Sequence, residues 1–323
     1  MADATRLAAA ARGELPEEAI VFKGDGSVVT AVDVAIEILI LSRLEALFGA
    51  RPTIAEEGPE SIGGNPAAEA HCRRLLRAWG VEIADGEARR LLESGGFDGP
   101  TSDVDACWVL DPIDGTQGYL DSIAAGGHWC PCLALLRRGR PVLAVNGQPT
   151  VDGGVLLVAE SGAGCWSRPL AGGDARRLVV EQRPLAEGEP MRIVVPPRAS
   201  AARLEARLSV ARAIGRKGVP VGAESQAKYA QVIAGHADVA YSRRGKGPGQ
   251  YLWDHAGAVL LARESGAWIG DVDGGAIDCS TGRRLTANRA VICAARGLGP
   301  EVAVALAARD ASEGVAPPRS SDG

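Results

Sequence analysis

The run Trp108-Val109-Leu110-Asp111-Pro112-Ile113-Asp114-Gly115-Thr116 constrains this chain more than any other stretch. Val109 and Leu110 read as the end of a buried strand, Pro112 and Gly115 force a turn, and Thr116 stands where a helix can begin. Asp111 and Asp114 can then face one pocket at the mouth of that strand. Hard cations such as Mg²⁺ take oxygen ligands, usually a few carboxylates together with substrate phosphate and water. Backbone N–H groups at a helix start suit a phosphate oxyanion. The loop therefore fits metal-assisted phosphate chemistry, although Asp-Gly is also a common turn former and the string alone is compatible with a plain turn.

Other acidic stations flank this run. Upstream, Lys23-Gly24-Asp25-Gly26-Ser27-Val28-Val29-Thr30-Ala31-Val32-Asp33 leads into an apolar stretch. There Ile36, Leu39, Ile40, Leu44 and Leu47 follow the spacing of an amphipathic helix closing at Gly49. Asp33 falls in its first turn, where an acid also simply favours the helix dipole. Thr53-Ile54-Ala55-Glu56-Glu57-Gly58 is a short extended piece ending in paired acids, the usual composition of a solvated loop. Downstream, Tyr251-Leu252-Trp253-Asp254-His255-Ala256 opens another helix, with Asp254 as an N-cap candidate. His255 reads as a packing or hydrogen-bonding residue, because no partner His or Cys lies at ligand spacing.

Taken in order, Lys-x-Asp-x-Ser-x-Val-Thr-x-x-Asp, Glu-Glu, Asp-Pro-Ile-Asp-Gly-Thr and Trp-Asp-x-Ala resemble the Mg²⁺-dependent, lithium-sensitive phosphatase superfamily of the inositol monophosphatases. The resemblance runs from Lys23 to about Ala295. Within it, Glu224-Ser225-Gln226-Ala227-Lys228-Tyr229 is similar to the signature of the 3′(2′),5′-bisphosphate nucleotidase branch, where the lysine offers charge for a second phosphate. The structural alternative for Lys228 is a solvated helix face.

The resemblance implies an α/β layered sandwich, with alternating helix and sheet layers in two lobes. An α+β domain over 1–188 would be followed by an α/β domain over 189–309 and a disordered tail over 310–323. It also implies hydrolysis of a phosphate monoester, here the 3′-phosphate of adenosine 3′,5′-bisphosphate or its sulfated form, by a metal-activated water. Glu56, Asp111, Asp114, Asp254 and the Ile113 carbonyl would hold two or three Mg²⁺ ions. Asp33 and Thr116 would take the water's proton. Gly115 and Thr116 would hold phosphate oxygens, with Ser225, Lys228 and Arg243 on the rest of the substrate. A homodimer is suggested by the family.

Composition agrees with a globular protein: 323 residues, net charge −5 and 46% hydrophobic residues, with no apolar run of membrane-spanning length. A mildly acidic chain is a poor partner for nucleic acid polymers. Met1 to Pro16 shows no secretory leader pattern, so a cytoplasmic location is expected. The seven cysteines form no Cys-x-x-Cys pair, and Cys130-Pro131-Cys132 reads as small apolar residues on a core strand.

The chain between the motifs reads as helical from about Ala67 to Glu93, a strand meander from Leu133 to Trp166, and a turn-rich link from Leu170 to Pro190. Helix–strand alternation follows from Arg192, ending with a strand over Ala290–Ala294 and a helix around Pro300–Ala308. Met1 to Ile20 leaves little room for a first long helix. Gln117 stands where the nucleotidase branch has lysine, Asp121 to Trp129 lacks its Arg-Gly-Glu-Gln sequence, and the basic loop Arg243-Arg244-Gly245-Lys246 suits either solvent or an anionic substrate. The rival readings are a phosphatase for an inositol phosphate, sugar phosphate or specialised nucleotide intermediate, and a catalytically dead regulatory relative.

Overall fold

The computed structural model describes the chain except residues 25, 85, 126, 244–248 and 315–323, and the side chains of 122–125. It begins with α1 (Ala2–Ala11), a hairpin of β1 (Ile20–Phe22) and β2 (Val28–Thr30), and the long helix α2 (Ala31–Phe48). β3 (Thr53–Ala55), α3 (Pro66–Ala78), α4 (Glu87–Ser94), β4 (Cys107–Asp114) and α5 (Thr116–Ala125) follow. A meander then runs through β5 (Cys130–Arg137), β6 (Arg140–Gln148), β7 (Val155–Glu160), β8 (Gly164–Pro169) and β9 (Arg176–Leu178). Next come β10 (Met191–Val195), α6 (Ala201–Ala213), β11 (Gly218–Gly222), α7 (Ala227–Ile233), β12 (Val239–Arg243) and β13 (Gln250–Tyr251). The chain closes with α8 (Ala256–Ser265), β14 (Trp268–Gly270), β15 (Arg284–Leu285), β16 (Ala290–Ala294) and α9 (Gly299–Glu313).

Two sheets organise these elements. The larger has the order β3-β4-β5-β6-β7-β8-β9 and is parallel only between β3 and β4. The smaller has the order β11-β10-β12-β16-β14, with β10 parallel to both its neighbours and β16 antiparallel to both of its own. Side chains alternate along a strand, so each sheet feeds two cores. On β4, Trp108 and Leu110 join α1, α2 and α3, whereas Cys107 and Val109 join α7 and α8. On β16, Val291 and Cys293 reach that same middle helix layer, and Ile292 and Ala294 pack on α6 and α9. The result is five alternating layers of helix, sheet, helix, sheet and helix, the layered sandwich that the sequence implies.

A helix held between two sheets must be apolar on all sides. α8 satisfies this with Ala256 and Ala258 to Ala262 all buried. α2 departs from the expected one-sided pattern for a similar reason: α1, α3, α4 and β4 surround it, and every residue from Ala31 to Leu41 is buried. Leu47, expected on its apolar stripe, is 74% exposed because the last turn runs past these neighbours.

Other boundaries differ from expectation. The segment 67–93 forms two helices, the first capped by Asn65, whose side chain accepts from the N–H groups of Ala67 and Ala68. Gly80, with φ of +71°, provides the left-handed break after it. The 170–190 link contributes β9 to the large sheet. A ten-residue α1 does fit before Ile20, burying Leu7 and Ala8. The terminal helix continues to Glu313, so the start of the expected disordered tail at Asp310 is helical and buried. The tail from 315 onward lies outside the described residues, as do Asp25 and the Arg244-Gly245-Lys246 part of the basic loop. No helix among the described residues is long and apolar enough to cross a membrane.

Candidate active site

In a regular strand, residues three apart point to opposite faces. β4 avoids this with a register shift against β5 between Asp111 and Asp114. Pro112 cannot donate to the ladder, and the bulge re-aims the next side chains. The strand therefore does not turn at Pro112 as expected; it runs on to Asp114, and the turn falls at Gly115. Asp111 and Asp114 end on the face that meets the middle helix layer, while Ile113 packs into the opposite core. Gly115 has φ of +91°, and a Cβ there would meet the His128 carbonyl at 2.8 Å and Ser225 Cβ at 2.9 Å. Only glycine fits that crossing. α5 then begins at Thr116.

Asp254 arrives from the other side of this junction. Carboxylate oxygens of Asp111, Asp114 and Asp254 all lie within 4.8 Å of one another. Asp254 is not the helix cap expected of it: the cap position of α8 is His255, and no side-chain cap bond is made. His255 is buried and shares a hydrogen bond of 2.9 Å with the Tyr229 hydroxyl, which ties α7 to α8 in the packing role read from the sequence.

Gln226 locks the two sides together. Its backbone N–H donates to Asp114 Oδ2 at 2.5 Å, and its side-chain amide donates to the Trp253 carbonyl at 2.8 Å. Its Oε1 accepts from Asn146 on β6 at 2.9 Å and from the Ala258 N–H at 3.2 Å. Through its backbone N–H and its buried side-chain amide, this one residue spans the Asp114 loop, β6 and the segment that carries Asp254. The sequence placed Gln226 inside a recognisable string but gave no sign of this role.

Glu56 follows β3 and reaches the Asp111 carboxyl. Its neighbour Glu57 is 3% exposed, not solvated, and its carboxylate accepts from Lys23 at 2.8 Å and Ser61 at 2.6 Å. Glu37 of α2, also buried, accepts from the Glu57 backbone N–H at 3.0 Å. Lys23, Glu57 and Glu37 lie outside the expected site residues: Glu57 reads in sequence as half of a solvated acidic pair, and Glu37 sits at an ordinary polar position of a helix pattern.

So many buried acids repel one another. Burial, and then the charge of Glu56, hold the Asp111 carboxyl well above the ordinary range. Burial and then Glu57 do the same to Glu56. Asp114 is pushed up to about 6, mainly by burial. Burial and then Asp114 push Asp254 up to about 7. Asp111 Oδ1 is buried and accepts no hydrogen bond. A buried carboxylate oxygen without a partner is costly, and an all-oxygen donor set around it is what a hard divalent cation requires. The residues present fit that group.

Beside the cluster, Thr116 Oγ1 donates to Asp33 Oδ1 at 3.1 Å, with the Ile113 carbonyl also in reach at 3.2 Å. Asp33 is fixed by a capping box at the start of α2: its Oδ2 accepts from the Thr30 N–H at 2.9 Å and the Thr30 hydroxyl at 2.5 Å. Burial, followed by the charge of Glu57, pushes Asp33 up to about 7.

The substrate-binding candidates divide. Ser225 sits against Gly115 with φ of 54°, and its hydroxyl accepts from the Ala227 N–H at 3.2 Å. Lys228 Nζ donates to the Ser225 carbonyl at 2.8 Å, and its charge bears on both Asp114 and Asp254. Arg243 is not brought to this cluster. Its guanidinium is held in ion pairs with Asp310 and Glu313 of α9, so it fastens the terminal helix in place of gripping a substrate.

Comparison with known proteins agrees with this geometry. Residues 2–314 match the inositol monophosphatase family. A 3′(2′),5′-bisphosphate nucleotidase of Emericella nidulans is 30% identical over 88% of this chain and 89% of its own length. One of Schizosaccharomyces pombe is 27% identical over 88% and 85%. Among solved structures, the Thermotoga maritima IMPase shares the fold with a TM-score of 0.63, at 17% identity over 97% of this chain and 96% of that one. The chain belongs to the inositol monophosphatase family and is a metal-dependent phosphoric monoester hydrolase related to the 3′(2′),5′-bisphosphate nucleotidases.

Proposed function

We propose that this hydrolase removes the 3′-phosphate of a nucleoside 3′,5′-bisphosphate such as adenosine 3′,5′-bisphosphate, with Mg²⁺ as its cofactor. The observation that carries the reading is the meeting of Asp111, Asp114 and Asp254, with a lysine whose charge bears on two of the three. Similarity to bisphosphate nucleotidases over most of the chain supports the same substrate class.

Asp111, Asp114 and Asp254 would hold the metal, with Glu56 and the Ile113 carbonyl completing the oxygen set. Bound there, divalent cations supply charge that stabilises phosphate oxygens and acidify the attacking water. Thr116 Oγ1 accepts the water's proton while passing its own to Asp33 Oδ1, and the raised proton affinity of Asp33 suits it to that task at neutral pH. The first N–H groups of α5, opened by Gly115, face phosphate oxygens. Lys228 meets the second phosphate by exchanging its bond to the Ser225 carbonyl for one to the substrate. Ser225 holds the backbone of that subsite.

A specific observation favours the second reading, a phosphatase for an inositol or sugar phosphate. Gln117, in place of a lysine, donates to Asp121 at 3.1 Å and brings no charge to the substrate side. Phosphate release from adenosine 3′,5′-bisphosphate and from inositol 1-phosphate, each with Mg²⁺ and with added lithium, separates the two. The nucleotide should be preferred and lithium should inhibit. A preference for inositol 1-phosphate would overturn the nucleotidase reading.

A further inference from the structure

We propose that Cys130, Cys132 and Asp114 form a binding site for a thiophilic divalent cation such as Zn²⁺, which takes Asp114 from the oxygen cluster and inhibits the enzyme. Cys130 and Cys132 are two apart on β5, so both thiols emerge on one face of the strand. That face is the one carrying the acids, since Cys130 pairs with Asp114 and Cys132 with Asp111 across the ladder. The two sulfurs lie 3.5 Å apart, and both fall within 4.8 Å of an Asp114 carboxylate oxygen. With Zn–S bonds of about 2.3 Å, tetrahedral coordination separates two thiolates by roughly 3.8 Å. The observed spacing needs an adjustment of only a few tenths of an ångström.

Buried cysteines ordinarily serve as small apolar residues, as the sequence suggested for this pair. A carboxylate beside two sulfurs at ligand separation is a different environment. Two thiolates and one carboxylate make a soft donor set that selects Zn²⁺ over Mg²⁺, with water in the fourth position. Both thiol protons leave to solvent on binding. Asp114 Oδ2 already accepts from the Gln226 N–H, so Zn²⁺ on the sulfurs competes with the oxygen cluster for what remains of this carboxylate. The antagonism rests on the hydrolase reading above; the binding does not.

The test titrates the full chain, reduced and free of divalent metal, with Co²⁺ as a spectroscopic substitute for Zn²⁺. A thiolate-to-cobalt charge-transfer band at one equivalent is expected in the wild type, displaced by Zn²⁺ and lost in Cys130→Ser/Cys132→Ser. The Zn²⁺ concentration that halves Mg²⁺-dependent turnover, relative to each variant's own rate, should rise about tenfold or more, since even outer-shell changes cost metal affinity that much. Absence of the band in the wild type, or its survival in the double variant, overturns the site. A band that disappears while Zn²⁺ inhibition is unchanged overturns the antagonism. Cys132→Ala provides the same reading if the double serine variant does not fold. Because the band is read without turnover, a chain that binds Co²⁺ through sulfur yet hydrolyses nothing would support the site and refute the hydrolase reading alone.

Discussion

Thr116 Oγ1 donates to Asp33 Oδ1 over 3.1 Å, joining the first turns of two helices 83 residues apart in sequence. Asp33 also closes the capping box of α2, and Thr116 reaches the Ile113 carbonyl, so the pair is held beside the carboxylate cluster from both helices. Removing the hydroxyl should break the proton path without disturbing the fold. Thr116→Val is expected to lower kcat by about 10²–10⁴, the usual size of a general-base contribution. Thr116→Ser should retain most of the rate, because the hydroxyl stays. Single-turnover phosphate release measures both, and a valine variant of near-normal rate would remove Thr116 from the mechanism.

Asp111 has a buried oxygen with no partner and sits between Glu56 and Asp114. Asp111→Asn removes one ionisable carboxyl from a buried group of like charges. Turnover should fall by on the order of 10²–10³ or more, given several kcal/mol of metal stabilisation at about 1.4 kcal/mol per tenfold. In the absence of metal the same variant should melt at or above the wild-type temperature. Calorimetry beside the activity assay checks both, and a variant that simply fails to fold would argue for a structural role.

The raised carboxyls give stability a pH dependence of definite sign. Asp33 and Asp254 titrate near 7 when folded, against an ordinary 3.8, so the folded chain binds protons more tightly than the unfolded one. The stability tied to these groups is fully present below the unfolded value and is lost as pH rises through about 7. Without divalent metal, the melting temperature should fall between about pH 5 and about pH 8. Added Mg²⁺ should raise it more at the higher pH, where the site is ionised. A melting temperature that climbs over this window in metal-free buffer would contradict the assignment.

Gln226 bonds to Trp253, Asn146 and Ala258 through one buried side chain. Gln226→Ala leaves those groups without partners, at a cost of about 1–3 kcal/mol. It should also raise the Mg²⁺ concentration needed for half-maximal turnover, because the Asp254 segment loses its tie to the residue whose backbone N–H holds Asp114. Denaturant unfolding and a Mg²⁺ activation curve measure the two effects. Lost stability with an unchanged Mg²⁺ requirement would confine Gln226 to packing.

Lys228→Ala tests substrate class. A charged hydrogen bond is worth about 1.5–3 kcal/mol, so kcat/KM for adenosine 3′,5′-bisphosphate should drop by on the order of 10–100-fold. Hydrolysis of inositol 1-phosphate should change far less. Equal losses on both would deny the lysine a role in recognising a second phosphate.

Much of the site was legible because its chemistry requires particular residue types at fixed places. Asp-Pro-Ile-Asp-Gly-Thr encodes two acids that can face one pocket, a turn at Gly115 and a helix start at Thr116, and these are local demands, whereas the bulge around Pro112 shows only in the pairing of β4 with β5. What the sequence concealed depends on burial from several directions. Glu37 and Glu57 look like surface acids until α2 is enclosed by its neighbours. Leu47 looks like core until the last turn of α2 extends beyond them. Arg243 looked like part of a basic substrate loop, and only the length of α9, whose Asp310 and Glu313 claim it, reveals another role. The Cys130–Cys132 pair shows the same limit, since its meaning depends on which face of β4 lies opposite.

The central claim is that Asp111, Asp114 and Asp254, drawn from opposite sides of the layer junction, hold a divalent cation in common. A crystal soaked in Mn²⁺ and measured at the manganese absorption edge tests it most directly. An anomalous peak within about 2.0–2.6 Å of oxygens from all three carboxylates is predicted, the range for hard cations. A fully soaked crystal with no peak there, or with the ion on one carboxylate alone, would contradict the account.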